Sequence, residues 1–161
     1  RGALRASSPE TPLRFSAPDR KRGTTTDDQT MTEVTILPAE DQAKIDRAAK
    51  IAEQNDLFRT TWGAEPSVQG QIVVTQGVSF LSVIAQMRIM GAVKEFATFT
   101  ADNDPYGDHT FGAFEVTDEG EAILLFWKID LYDTDYTFGS DTPEDTAVTR
   151  RVLTIMQRHE Y

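Results

Sequence analysis

Apolar residues recur at helical spacing from Pro38 onward. Ala39, Ile45, Ala48, Ala49, Ala52 and Phe58 alternate with charged positions, which predicts a helix from about Pro38 to Asn55 or Phe58. Trp62-Gly63-Ala64-Glu65-Pro66 breaks it. Gln71 to Thr75, bounded by Gly70 and Gly77, reads as a short strand. A second helix is predicted from about Ser79 to Phe96. Phe80, Val83, Ile84, Met87, Met90, Val93 and Phe96 form a stripe expected to face a core.

The pattern then changes to period two. Phe111 to Thr117 and Glu121 to Tyr132 flank Asp118-Glu119-Gly120, a hairpin signal. In the longer strand Leu125, Trp127, Ile129 and Leu131 share one face. Leu124, Phe126, Lys128, Asp130 and Tyr132 share the other, the alternation of a half-buried strand. Asp133-Thr134 reads as a turn, and Asp135 to Phe138 as a short further strand. A last helix is predicted from Thr142, with Pro143 at its first position and Glu144 and Asp145 at the positive end of its dipole. Val148, Val152, Ile155 and Met156 would be its buried stripe, with Arg158 and His159 at the negative end and Arg150 and Arg151 solvated or paired with acidic neighbours. No internal repeat is present. This order predicts an α+β fold, a small antiparallel sheet of about three to four strands packed against about three helices.

Residues 1–30 differ from the rest. Leu4, Leu13 and Phe15 are their only large apolar residues among Arg, Ser, Thr, Pro and Asp. Too little apolar surface is available to offset ordering entropy, so this stretch is expected to be a disordered extension. A single α+β domain is expected over residues 31–161, with Met31 at the change of composition.

Charge narrows the partners. The 161 residues carry 26 acidic and 16 basic side chains, a formal net charge of -10. Six of the basic and four of the acidic residues precede Met31. The remainder therefore holds 10 basic and 22 acidic residues, a net of -12. That potential repels phosphate backbones, so nucleic-acid binding is not expected, whereas a basic protein partner is favoured. There is no cysteine, which excludes disulfides, cysteine metal sites, iron–sulfur clusters and thiol catalysis. The longest apolar run, Ala122 to Trp127, is far short of the roughly 18 residues of a membrane span. No apolar leader appears in residues 1–30, and a cytoplasmic location is the expectation.

One segment is chemically suggestive. Thr100 to Gly112 crowds Asp102, Asp104 and Asp108 around His109. Such oxygens attract a hard cation. The calcium-loop template fails, however, because Tyr106 takes its fifth place and Ala113 the place of its bidentate Glu. A zinc site would lack a second interior histidine. The same residues also make ordinary turn chemistry. Lys128 and Asp130 share a strand face, and beside His109 and Asp108 they would form an acid–base site. No nucleophile elbow, phosphate-cradling loop or dinucleotide fingerprint is present.

Four segments carry a resemblance: Asn55-Asp56-Leu57-Phe58-Arg59, the loop from Phe99 to Gly112 ending in His-x-Phe-Gly, Phe126-Trp127-Lys128-Ile129-Asp130, and Thr149 to Met156. Together they resemble the bacterial family called domain of unknown function 3768, over roughly Ile45 to Tyr161. The family pattern has His where this chain has Tyr106, and Glu where it has Asp108. The resemblance implies a small bacterial protein of the kind carried by alphaproteobacteria and by plasmids and other mobile elements. It brings no activity, cofactor or catalytic residue with it.

Two functional expectations follow. The first is a non-enzymatic accessory module whose acidic surface engages a protein partner, with a nucleic-acid mimic as its sharper form. The alternative is a small metal-dependent or acid–base hydrolase using residues 100–112. In it His109 would be the base, Asp102, Asp104 and Asp108 would orient it or hold a cation, and Lys128 and Asp130 would lie nearby. No cofactor is expected beyond that divalent cation.

Overall fold

The computed structural model describes residues 37–161. The expectation for residues 1–30 lies outside them. Helix α1 runs Ala39–Thr60 and starts at Pro38, whose carbonyl accepts from the N–H groups of Asp41 and Gln42 at 3.0 Å each. Glu40 and Asp41 meet the positive end of its dipole. Its C-terminus closes by a Schellman arrangement. The Gly63 N–H donates to Phe58 O at 2.8 Å and the Trp62 N–H to Arg59 O at 3.2 Å, with Trp62 held at φ 57°.

Strand β1 (Gly70–Val74), the single turn α2 (Gln76–Ser79) and helix α3 (Val83–Glu95) follow. Strands β2 (Phe111–Asp118) and β3 (Glu121–Tyr132) form the expected hairpin. Strand β4 (Arg150–Gln157) leads into a short 3-10 turn, Arg158–Glu160. The sheet order is β1-β4-β3-β2. The pairs β2–β3 and β3–β4 are antiparallel and β1–β4 is parallel, so the α+β sheet is mixed and mostly antiparallel.

Alternation decides the two faces of the sheet. Leu125, Trp127 and Ile129 on β3, with Leu153 and Ile155 on β4, are buried beneath α1 and α3 together with Phe58, Ile89 and Val93. Full burial of each such side chain contributes on the order of 1.5–3 kcal/mol. The opposite face carries Phe111, Phe126, Lys128, Asp130 and Tyr132, with Tyr161 packed edge-on to both phenylalanines.

Three expectations are corrected. The last helix is not formed: Thr142 to Thr149 is a series of turns, and Arg150–Gln157 is the strand β4 between β1 and β3. Asp145 N–H bonds to Thr142 O at 2.9 Å, so the Thr-Pro-Glu-Asp signal starts a turn that is not continued. The run Arg-Arg-Val-Leu-Thr-Ile-Met-Gln is rich in β-branched residues and apolar on both faces, as suits a strand with neighbours on both sides. Arg151 is accordingly not solvated but wholly buried. Asp135 to Phe138 also forms no strand. The Asp133 carboxylate accepts from the N–H groups of Asp135, Thr137 and Phe138, and a lone bridge joins Tyr132 to Gly139.

The third correction concerns the second helix. The chain breaks at Phe80–Ser82, and Ser82 caps α3 by accepting from the Ala85 N–H at 3.2 Å while its own hydroxyl donates to Asp118. The face turned to the core is Ala85, Ile89 and Val93. Of the expected stripe, Val93 is buried and Phe96 packs against the core, but Phe80 is 79% exposed, Val83 73%, Ile84 63% and Met87 67%. This helix is apolar on most sides. Hydropathy alone therefore does not choose its phase.

Candidate functional site

The segment joining α3 to β2 folds back on itself through its own short polar side chains. Asn103 Oδ1 accepts from the Thr100 N–H at 2.8 Å, and Asn103 Nδ2 donates to Thr98 O at 2.8 Å. Asp104 Oδ1 accepts from the N–H groups of Asp108 and His109 at 3.1 and 3.2 Å. These bonds hold His109 at φ 53°, a backbone conformation unusual outside glycine.

His109 points its chemistry at α1. Its Nδ1 lies 2.8 Å from Asp56 Oδ2, and its ring stacks on Phe99 with centroids 3.6 Å apart. The other carboxylate oxygen of Asp56 accepts from Arg59 Nη2 at 2.8 Å. Arg59 is buried. Its Nη1 donates to the carbonyls of Val93 and Lys94 at the end of α3, where a cation also meets the negative end of the dipole. Its guanidinium carbon sits 5.2 Å from the Trp127 ring centroid. His109 Nε2 is 3.7 Å from Asp104 Oδ2, too far for a hydrogen bond.

A second polar chain runs alongside. Asn55, fully buried, donates to Asp108 O at 2.8 Å and accepts from Arg151 Nε at 2.8 Å. Arg151 also donates to Gln54 Oε1 at 2.6 Å, and burial pulls its pKa down to about 10. Burial likewise pushes the Asp108 carboxyl above the usual aspartate range. The hydrogen bond from Thr110 Oγ1, at 2.7 Å, opposes that rise, and nearby Asp104 adds to it. The two chains fasten α1, the acidic segment, the end of α3 and β4 to one another.

The expected site residues thus separate. Asp104, Asp108 and His109 come together, but as a clamp. Asp102 is exposed, and among the described residues no group of three or more His, Asp or Glu side chains is arranged to hold a metal ion. Lys128 and Asp130 pair with each other at 2.8 Å on the sheet face opposite the helices, apart from His109. That pairing is the main cause of the raised Lys128 pKa. Sequence reasoning did not place Asn55, Asp56 and Arg59 in the cluster. Their signal was polar residues on the same helical stripe as the buried Ile51, Ala52 and Phe58.

A different feature has the shape of a binding surface. Trp62, Val74, Val78, Val83, Met87 and Met90 line a groove of about 250 Å³ floored by Ile155. Phe80 and Ile84, close to Val78 and Val83 in sequence, are also exposed. No charged residue occurs from Pro66 to Met87, in a chain otherwise dense in charge. Contiguous apolar patches on the order of several hundred Å² mark contact sites rather than ordinary surface.

The model of the family described as protein of unknown function (DUF3768) matches residues 74–160. The chain belongs to this family. The DUF3768 match takes in all of α3, the acidic segment with His109, the hairpin and β4. It begins after Asn55, Asp56 and Arg59, so half of the clamp lies upstream of it. No curated protein and no solved structure matches the chain. Among the described residues no helix is long and apolar enough to cross a membrane.

Proposed function

We propose that the chain is a protein-binding module whose groove between α3 and the end of β1 takes the apolar face of a basic amphipathic helix from a partner protein. The observation that carries this reading is the exposure of Val74, Val83, Met87 and Met90, which line a preformed apolar groove. Helix-in-groove recognition uses such anchors. Methionines such as Met87 and Met90 adapt to varied apolar shapes. The acidic surplus of the chain supplies long-range attraction to a basic partner, and the uncharged groove leaves its apolar anchors free of unpaired charge.

The test is calorimetric titration of the full chain with a designed Leu/Lys amphipathic helical peptide and with its Leu/Glu counterpart. The Lys peptide should bind, more weakly as salt rises, and Met87→Asp should reduce affinity at least tenfold. Equal binding of both peptides, or no effect of Met87→Asp, defeats the reading.

The Asp56–His109 hydrogen bond favours a second reading, an acid–base hydrolase, since a carboxylate on Nδ1 orients an imidazole as a base. Ester hydrolysis lost in His109→Gln and reduced in Asp56→Asn would support it.

A further inference from the structure

We infer that two copies of this chain associate through β1, pairing antiparallel about a twofold axis at Ile72 to make one continuous eight-stranded sheet. β1 is an edge strand bonded only to β4 among the described residues. Two bonds set the phase of its main chain: Arg151 N–H donates to Gln69 O, and Thr75 N–H donates to Ile155 O, each at 3.0 Å. Residues 69, 71, 73 and 75 therefore face β4. Gly70, Ile72 and Val74 turn their N–H and C=O groups to the open edge.

Their spacing is self-complementary. An axis at Ile72 sets Ile72 against its own copy and Gly70 against Val74 of the second copy, so every outward group finds a partner. With the axis at Gln71 or Val73 only two of the three outward residues would find partners within the strand, whereas the axis at Ile72 pairs all three. Antiparallel pairing about a twofold also leaves each side chain on the face it already occupies.

The edge carries none of the usual safeguards against such pairing. Gln69 to Gln76 contains no Lys, no Pro and no charge, and Val73 and Val74 are 42% and 46% exposed. The self-complementary spacing selects a second copy as the occupant, and charge favours this place for it. A chain of net charge -10 repels its own copies at most surfaces, and this uncharged stretch is where close approach meets least repulsion. The partner helix proposed for the groove would pack on side chains, whereas this contact is made by main chain, so each stands without the other.

The chain has no cysteine, so Ile72→Cys supplies a single thiol. Across a hydrogen-bonded antiparallel pair the Cα atoms lie about 5.5 Å apart, within disulfide reach. Under mild oxidation of the full chain, Ile72→Cys should cross-link at least tenfold faster than Gln71→Cys, whose copies do not oppose each other. Sedimentation of the unmodified chain should show a dilution-dependent species of twice 18.0 kDa. Val74→Pro removes one outward N–H without touching the β4 ladder, and should raise the dimer dissociation constant at least tenfold while circular dichroism is retained. A monomer at all concentrations, equal cross-linking at positions 71 and 72, or a dimer indifferent to Val74→Pro would overturn the inference. If Val74→Pro fails to fold, the cross-linking comparison alone decides.

Discussion

Asp56 and His109 stand 53 positions apart in the chain and meet at 2.8 Å, with the same carboxylate also held by the buried Arg59. The acidic segment is thereby tied to α1, and α1 to the end of α3. Asp56→Asn and His109→Gln should each cost about 1–3 kcal/mol in urea unfolding, the range for hydrogen bonds involving charged groups. The double variant should lose at least about 0.5 kcal/mol less than the sum of the two. Strict additivity would show that the two side chains do not act as a unit.

Asp108 provides a pH signature. Burial raises its folded-state pKa above the unfolded value. The sign follows from linkage: its contribution to stability is fully present below the unfolded pKa and is lost as pH rises through the folded one. Asp108→Asn keeps an acceptor for Thr110 and removes the buried charge. It should raise Tm at neutral pH and flatten the part of the stability profile that declines as pH rises above the ordinary aspartate pKa. A neutral-pH Tm unchanged or lower than that of the parent chain refutes this.

Glu160 behaves in the opposite sense. Its carboxylate accepts from Thr75 Oγ1 at 2.6 Å, from the Gly77 N–H at 3.0 Å and from the Gln157 N–H at 2.8 Å, stapling the C-terminal turn to the start of α2. These bonds, led by Thr75, lower its pKa. Its contribution is therefore present above the ordinary glutamate pKa and lost as pH falls through the depressed folded value. Glu160→Gln should destabilise by about 1–2 kcal/mol at neutral pH, and the deficit should vanish in acid. A deficit independent of pH would assign the loss to shape rather than charge.

Gly112 lies directly opposite Trp127 in the hairpin register, and a Cβ there would overlap the indole. Trp127 is completely buried, so the ring has no room to retreat. Gly112→Ala should cost about 1–3 kcal/mol and shift the tryptophan emission spectrum. An alanine variant of parental stability and unchanged fluorescence would mean that the sheet yields at this point.

Much of the architecture is legible locally. Pro38 followed by Glu40 and Asp41 starts α1 where the chain pattern places it, and Asp118-Glu119-Gly120 turns the hairpin with Glu119 and Gly120 at φ 50° and 90°. Leu125, Trp127 and Ile129 alternate as a half-buried strand must. The turn chemistry of Asn103 and Asp104 is likewise written in their residue types. The partners of the clamp are not, because nothing in a short window relates Asn55, Asp56 and Arg59 to His109 or Arg151.

Residue types and their local periodicity suffice for the acidic surplus, the lack of cysteine, α1, the hairpin, and the turns around His109. Long-range packing makes Arg150–Gln157 a central strand and turns Ala85, Ile89 and Val93 of α3 inward while leaving Val83, Ile84 and Met87 exposed. The reason is physical. Val152, Ile155 and Met156 satisfy a helical stripe as well as a strand apolar on both faces, and the choice between them rests on ladder bonds to β1 and β3, elements about 20 or more residues away along the chain.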